Sequence, residues 1–143
     1  MSEAKGMVTI MKNMLKIILV FILIFALSTN AFASTVGIQW DYLVKVISEL
    51  SISDSGTAYG SGTASTSNLG YIVSVQVNLQ QLKSSGWTTI KTWNGSDSGG
   101  CSVGGYYAVI SGYDYRTEVI AKVYDENYNK LEESKVYSSV KHY

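Results

Sequence analysis

Apolar and polar residues alternate with a period of two over most of the chain beyond residue 40. The clearest run is Tyr71 to Lys83, where Val73, Val75, Val77 and Leu79 fall on one side and Ser74, Gln76, Asn78 and Gln80 on the other. Successive side chains of an extended chain point to opposite faces, so this run predicts a strand with one dry face and one wet face. Ser84-Ser85-Gly86 then predicts a hairpin turn into Trp87–Trp93, on which strict alternation puts Trp87, Thr89, Lys91 and Trp93 on one face. The stretch Tyr106–Tyr124 reads as two strands joined by a corner at Gly112-Tyr113-Asp114. Within it Tyr115, Thr117, Val119, Ala121 and Val123 are in phase.

The remaining segments are shorter or less regular. Trp40–Ser53 carries apolar residues at both helical and strand spacing; its β-branched residues and the following Asp54-Ser55-Gly56 turn favour a strand. Thr57–Ser67 reads as a thin strand, with Gly60 and Gly62 suited to an edge or to the close approach of a second layer. Asn94–Gly100 (NGSDSGG) is expected to be a flexible loop. Cys101–Ile110 and Tyr115–Asp125 complete the strands around the corner. Asp125–Lys130 reads as a turn, Leu131–Val140 as the last strand and Lys141–Tyr143 as a loose end. Seven short strands with no helix between them predict an all-β, immunoglobulin-like β-sandwich of about seven antiparallel strands. In such domains a tyrosine beside a strand corner bonds back to upstream backbone, and Tyr115 stands at the corresponding place.

The N-terminal segment, residues 1–33, differs in kind. Lys12 and Lys16 precede or interrupt an apolar run from Leu15 to Leu27, and Ala31-Phe32-Ala33 supplies small residues flanking a cleavage point. This order predicts a signal peptide over residues 1–33, cut after Ala33, and a mature domain over residues 34–143. Met7, Met11 and Met14 are alternative starts. The expected location is secreted, with membrane contact only during export.

Charge and chemistry narrow the function classes. The formal net charge of the 143-residue chain is zero, and Lys5, Lys12 and Lys16 lie in the leader, so the domain is slightly acidic. That composition argues against a nucleic-acid partner, which requires a clustered basic face. One cysteine and one histidine, Cys101 and His142, rule out a disulfide within the chain and leave a Cys/His nucleophile or zinc set without its parts. A Ser-His-Asp triad would hang its base on the last residues, and no G-x-S-x-G elbow occurs. The acids Asp125-Glu126 and Glu132-Glu133 flank one turn and read as surface charge; Asp97, Asp125 and Glu126 lack the spacing of a calcium loop. No catalytic, metal-ligating or cofactor-binding residue and no cofactor is therefore expected. Cys101 is either a small core residue or, if exposed, the link of a disulfide dimer of an otherwise monomeric protein.

Trp87, Trp93 and Tyr113 are the candidate contact surface, since paired indoles on a hairpin face can stack on a glycan or seat a protein. The motifs Trp40-Asp41, Ser51-Ile52-Ser53, Gly86-Trp87, Thr89–Lys91, Trp93, Tyr107, Val109, Gly112-Tyr113, Tyr115-Arg116 and Tyr137-Ser138-Ser139 span nearly the whole mature region. In them the chain resembles a family of small secreted proteins of Firmicutes, Gram-positive bacteria, catalogued as a domain of unknown function, the DUF6147 group. The resemblance implies location and fold and adds no chemistry. The expected function is an extracellular binding or surface-interaction module for a protein or glycan, not an enzyme; the alternative is a bacteriocin-like or toxin-like antagonist.

Overall fold

A computed structural model describes residues 39–143 of the chain; the expected signal peptide lies outside them. Eight strands follow one another with no helix among the described residues: β1 (Leu43–Ile52), β2 (Thr57–Thr66), β3 (Ile72–Lys83), β4 (Gly86–Ser98), β5 (Gly100–Ala108), β6 (Asp114–Tyr124), β7 (Lys130–Tyr137) and β8 (Lys141–His142). All pairings are antiparallel, in two sheets ordered β1-β2-β5 and β4-β3-β6-β7, with β8 pairing the start of β6 beyond the end of β7. This is the immunoglobulin-like plan with the fourth strand moved from the first sheet to the edge of the second.

The alternation in β3 and β6 builds the core. Val73, Val75, Val77, Leu79, Tyr115, Val119, Ala121 and Val123 are all buried on the inner face of the second sheet. Opposite them β2 presents Ala58, Gly60, Gly62 and Ala64, with Thr66 at its end. A Cβ on Gly62 would lie 2.6 Å from Val119 Cγ2, and one on Gly60 2.8 Å from Thr117 Cγ2. The thin strand is therefore the centre of its sheet, and its missing side chains let the two layers meet closely. Thr117, fully buried, is satisfied there by Ser48 Oγ at 2.8 Å and the Glu49 carbonyl at 3.1 Å.

The corner forms as expected. Tyr115 is completely buried, its hydroxyl donates to the Ile110 carbonyl at 2.7 Å and accepts from Gln81 Nε2 at 3.2 Å, and Gly112 takes the left-handed φ of 85° that the turn requires. Burial pushes the Tyr115 phenol above its ordinary pKa, against the opposing effect of its bonds to Ile110 and Gln81.

Three expectations are corrected. Asn94–Ser98 is not a loop but the far half of β4, paired with Ile72–Gln76 of β3; only Gly99, at φ 73°, leaves the ladder and carries the chain to the other sheet. Gly95 stands there because a Cβ would meet Val103 at 2.7 Å, so its glycine signals packing and not flexibility. The C-terminal Lys141-His142-Tyr143 is not loose. β8 pairs Asp114 and Tyr115, His142 Nδ1 lies 2.7 Å from Asp114 Oδ1, and Tyr143 packs against the core cluster of Leu50, Ala58, Leu79 and Tyr115 while its backbone bonds Tyr113. Glu132, read as surface charge, is half-buried on the inner side of β7 and accepts from the backbone N–H groups of Asp41, Tyr42 and Leu43 at 3.2, 2.9 and 2.7 Å. With the Trp40 indole donating to Ser134 Oγ at 2.9 Å, it fastens the segment before β1 to β7 and closes that side of the sandwich.

Candidate functional site

The two tryptophans of the expected contact surface do not share a face. The β3–β4 ladder slips between Leu79 and Gln80, leaving Ile90 as an extra residue, so Trp93 pairs with the inward Val77 while Trp87 pairs with the outward Leu82. A single bulge inverts the side-chain phase of everything beyond it. Trp93 consequently packs in the core, its indole filling the space over Gly60 and Gly105, where a side chain on either glycine would collide with it or with its neighbours. Tyr113 is partly exposed at the corner, its backbone tied to Tyr143. Of the three expected contact residues, Trp87 alone stands on the broad outer face of the second sheet.

There it belongs to a group that the sequence reading did not assemble. Arg116 of β6 lies with its guanidinium 4.3 Å from the centre of the Trp87 ring and 4.1 Å from that of Tyr137 on β7, a cation held between two aromatic faces. Its Nε donates to Gln80 Oε1 of β3 at 2.8 Å, which fixes the plane of the fork. Among the described residues neither terminal nitrogen of Arg116 has a hydrogen bond or a carboxylate partner, and none of the buried side-chain nitrogens or oxygens lacks a bond. The two terminal amino groups are thus open to solvent, a preorganised donor edge between two rings.

Beside the stack, a polar ladder crosses all four strands. Thr92 Oγ1 and Gln76 Nε2 donate to Asn78 Oδ1 at 2.8 and 3.1 Å, and Asn78 Nδ2 donates to Glu118 Oε2 at 2.9 Å. Glu118 Oε1 accepts from the Tyr137 hydroxyl at 3.1 Å and faces Lys135 Nζ at 3.4 Å. Burial would raise the Glu118 pKa, but the bonds from Asn78, Tyr137 and Lys135 outweigh it and hold the carboxyl below its ordinary range. Asn78, Gln80 and Glu118 are buried although they point away from the core: Arg116 bonds Gln80, Tyr137 bonds Glu118, and Asn78 is bonded by Thr92, Gln76 and Glu118. The expected wet face is therefore hydrogen-bonded across its width and partly buried. Tyr137 is oriented by Glu118 at one end and stacked on Arg116 along its ring, so the ladder positions the stack.

The other candidates take structural places. Cys101 is half-buried opposite Ala64 and packs on the core, and burial, then the nearby Asp97, pushes its thiol above the usual cysteine range. Asp125 spends its carboxylate on Asn127 N, Asn129 N and Asn129 Nδ2, bonds that lower its pKa and shape the β6–β7 turn. Glu133 bonds Lys130 at 2.9 Å on the surface. The molecule's clefts lie elsewhere: one of about 370 Å³ opens along the free edge of β1 between Ser48, Glu49, Ser51, Tyr59 and the segment Ser138–Lys141, and another of about 270 Å³ continues it towards Asp54 and Tyr143.

No family model and no curated protein matches the chain. Among solved structures it is similar to the Pseudomonas fluorescens alkylpurine DNA glycosylase AlkC bound to DNA containing an abasic site analog, at 14% identity and a TM-score of 0.32, over 68% of this chain. The chain corresponds to only 30% of that protein's length, and a likeness this low carries no argument about activity or nucleic acid.

Proposed function

We propose that the chain is a secreted binding module without catalytic machinery, whose contact surface is the outer face of the β4-β3-β6-β7 sheet centred on Trp87, Arg116 and Tyr137. The observation that carries this reading is the Arg116 guanidinium, fixed by two rings and Gln80 with its donor edge unpaired among the described residues. Trp, Tyr and Arg are the residues enriched among interface hot spots, and a rigid side chain loses little entropy on contact. A flat sheet face suits a protein surface better than a sugar, which favours a concavity, and the open fork suits a partner carboxylate taken in the plane of the guanidinium.

The test is binding of the purified exported protein, labelled, to intact cells and to secreted proteins separated by size, with Arg116→Gln and Trp87→Ala as comparisons. Saturable binding should fall at least tenfold in both variants while their melting curves confirm a folded domain. Binding that survives both substitutions would place the contact surface elsewhere.

A further inference from the structure

The free edge of β1 reads as a self-complementary strand, and from it we infer that two copies of this chain pair through β1 across a two-fold axis at Ile47. The direction of the backbone groups follows from the β1–β2 turn. Ser53 uses both its groups in the hairpin, its N–H donating to Thr57 O at 3.0 Å and its carbonyl accepting from Gly56 N at 2.9 Å. Alternate residues of an antiparallel strand bond to the same side, so Ile47, Glu49 and Ser51 bond to β2. Val46, Ser48, Leu50 and Ile52 turn their N–H and C=O groups outward, to an edge that no strand covers among the described residues. Alongside Ser48–Ser51 that edge borders the cleft of about 370 Å³, whose far wall is Ser138, Ser139 and Lys141, so the partner strand has to displace or pass over that segment at this end.

Register is set by the side chains. On the outer face of β1, Lys45 and Glu49 stand two residues either side of Ile47. In an antiparallel pair with Ile47 opposite its own copy, each Lys45 meets the partner's Glu49, and the two Ile47 side chains meet at the axis. The same register places Val46 opposite the partner's Ser48, and both residues have outward backbone groups, so each such pair exchanges two N–H···O bonds. Opposite charges facing each other across strands stabilise the pairing and like charges oppose it. Neither Lys45 nor Glu49 has an ionic partner among the described residues; the Glu49 carboxylate accepts only a 3.4 Å bond from Ser61 Oγ. Two of the usual protections of an edge are missing from this run, since the bulge at Val44 lies before it and the sequence contains no proline; its charges, Lys45 and Glu49, are of opposite sign and complement their own copies. The product is a continuous six-stranded sheet, 5-2-1-1-2-5, with an isologous interface that closes after two copies and leaves both Arg116 faces outside it.

Sedimentation equilibrium of the exported chain, under reducing conditions so that Cys101 cannot link copies, tests the pairing over low micromolar to millimolar concentration. A monomer–dimer equilibrium is expected. Glu49→Lys and Lys45→Glu, each of which sets like charges opposite one another twice, should weaken it at least tenfold. The double variant K45E/E49K should restore it to within a few-fold of the parent. A monomer at every concentration overturns the inference, and so does a dimer that ignores both single substitutions or that the double variant fails to rescue. Circular dichroism melting of each variant separates loss of pairing from loss of folding.

Discussion

Replacing Tyr115 by phenylalanine removes one oxygen atom and leaves the packing of a fully buried ring unchanged, so its effect isolates the corner bond. Two partners lose out unequally. The Ile110 carbonyl belongs to a residue 63% exposed, and water can take the place of the hydroxyl there. The Gln81 amide is 7% exposed and donates to Tyr115, so one of its N–H groups is left without a bond in the interior. A replaceable hydrogen bond contributes roughly 0.5–1.5 kcal/mol and a stranded buried donor costs about 1–3 kcal/mol; the unequal exposure points to a total near ~2 kcal/mol. For a domain of this size that corresponds to a melting temperature lower by roughly 8–16 °C, read by near-ultraviolet circular dichroism or calorimetry. Urea unfolding should show a lower midpoint at constant slope, because the surface exposed on unfolding is the same. Tyr115→Phe/Gln81→Leu, which removes the stranded amide as well, should recover part of the loss. A midpoint for Tyr115→Phe within a degree of the parent would refute the view that this bond locks the corner.

The other expectations concern different levels of the structure. Because the folded Tyr115 phenol is raised above its ordinary pKa, its contribution is complete below about pH 10 and is lost as pH climbs through the folded value; the parent should therefore weaken in alkali more steeply than Tyr115→Phe in pH-dependent melting. Glu118 has the opposite sign: its lowered pKa gives stability present above about pH 4.5 and lost as pH falls through the folded value, so Glu118→Gln should flatten the acid limb of the stability curve. Glu132→Ala strips three backbone donors of a charged acceptor and should cost about 2 kcal/mol, with hydrogen exchange accelerated at Asp41–Leu43. Tyr128 holds a φ of 61° at the tip of the β6–β7 turn, and Tyr128→Gly should relieve roughly 1 kcal/mol of strain, seen as a higher urea midpoint. Gly105→Ala drives a methyl into the Trp93 indole and should destabilise by about 1–3 kcal/mol.

The fold was legible where periodicity was unbroken. β3 and β6 alternate strictly, and from them the core, the Tyr115 corner and the two-layer arrangement followed. Only Trp40–Ser53 also fitted a helical period, and there the β-branched residues and the Asp54-Ser55-Gly56 turn pointed to the strand that forms, β1. What misled was glycine in Asn94–Gly100, which looks like a loop in one dimension and is a close contact in three: Gly95 makes way for Val103, and Gly99 alone turns the chain. The tail misled for a related reason, since pairing of Lys141-His142 with Asp114-Tyr115 is a contact between distant segments that a local pattern cannot register.

The candidate site failed to appear in the sequence because it depends on one inserted residue and three registers. Alternation from Trp87 to Trp93 counts three steps of two and puts both indoles together; the extra residue Ile90 makes that count wrong, and the price of extending the pattern across it is a platform that does not exist. Once Trp87 is turned outward, its neighbours are fixed by pairing alone. Arg116 stands opposite Gln80 on β3, and Glu118 opposite Tyr137 on β7. Arg116, Gln80 and Tyr137 are each ordinary outward residues in their own strands, separated by 36 and 21 positions of sequence. A bulge is a property of a pair of strands, because the unpaired residue is defined only against the strand it fails to match. The chemistry of this face, a guanidinium clamped between two rings, is thus written in the β3–β4 slip and the β6 pairings together. Deleting Ile90 would make the point directly: Trp87 and Trp93 would stand five positions apart, on opposite faces of a regular strand, so the Arg116 stack and the packing of Trp93 over Gly105 should both persist without the bulge.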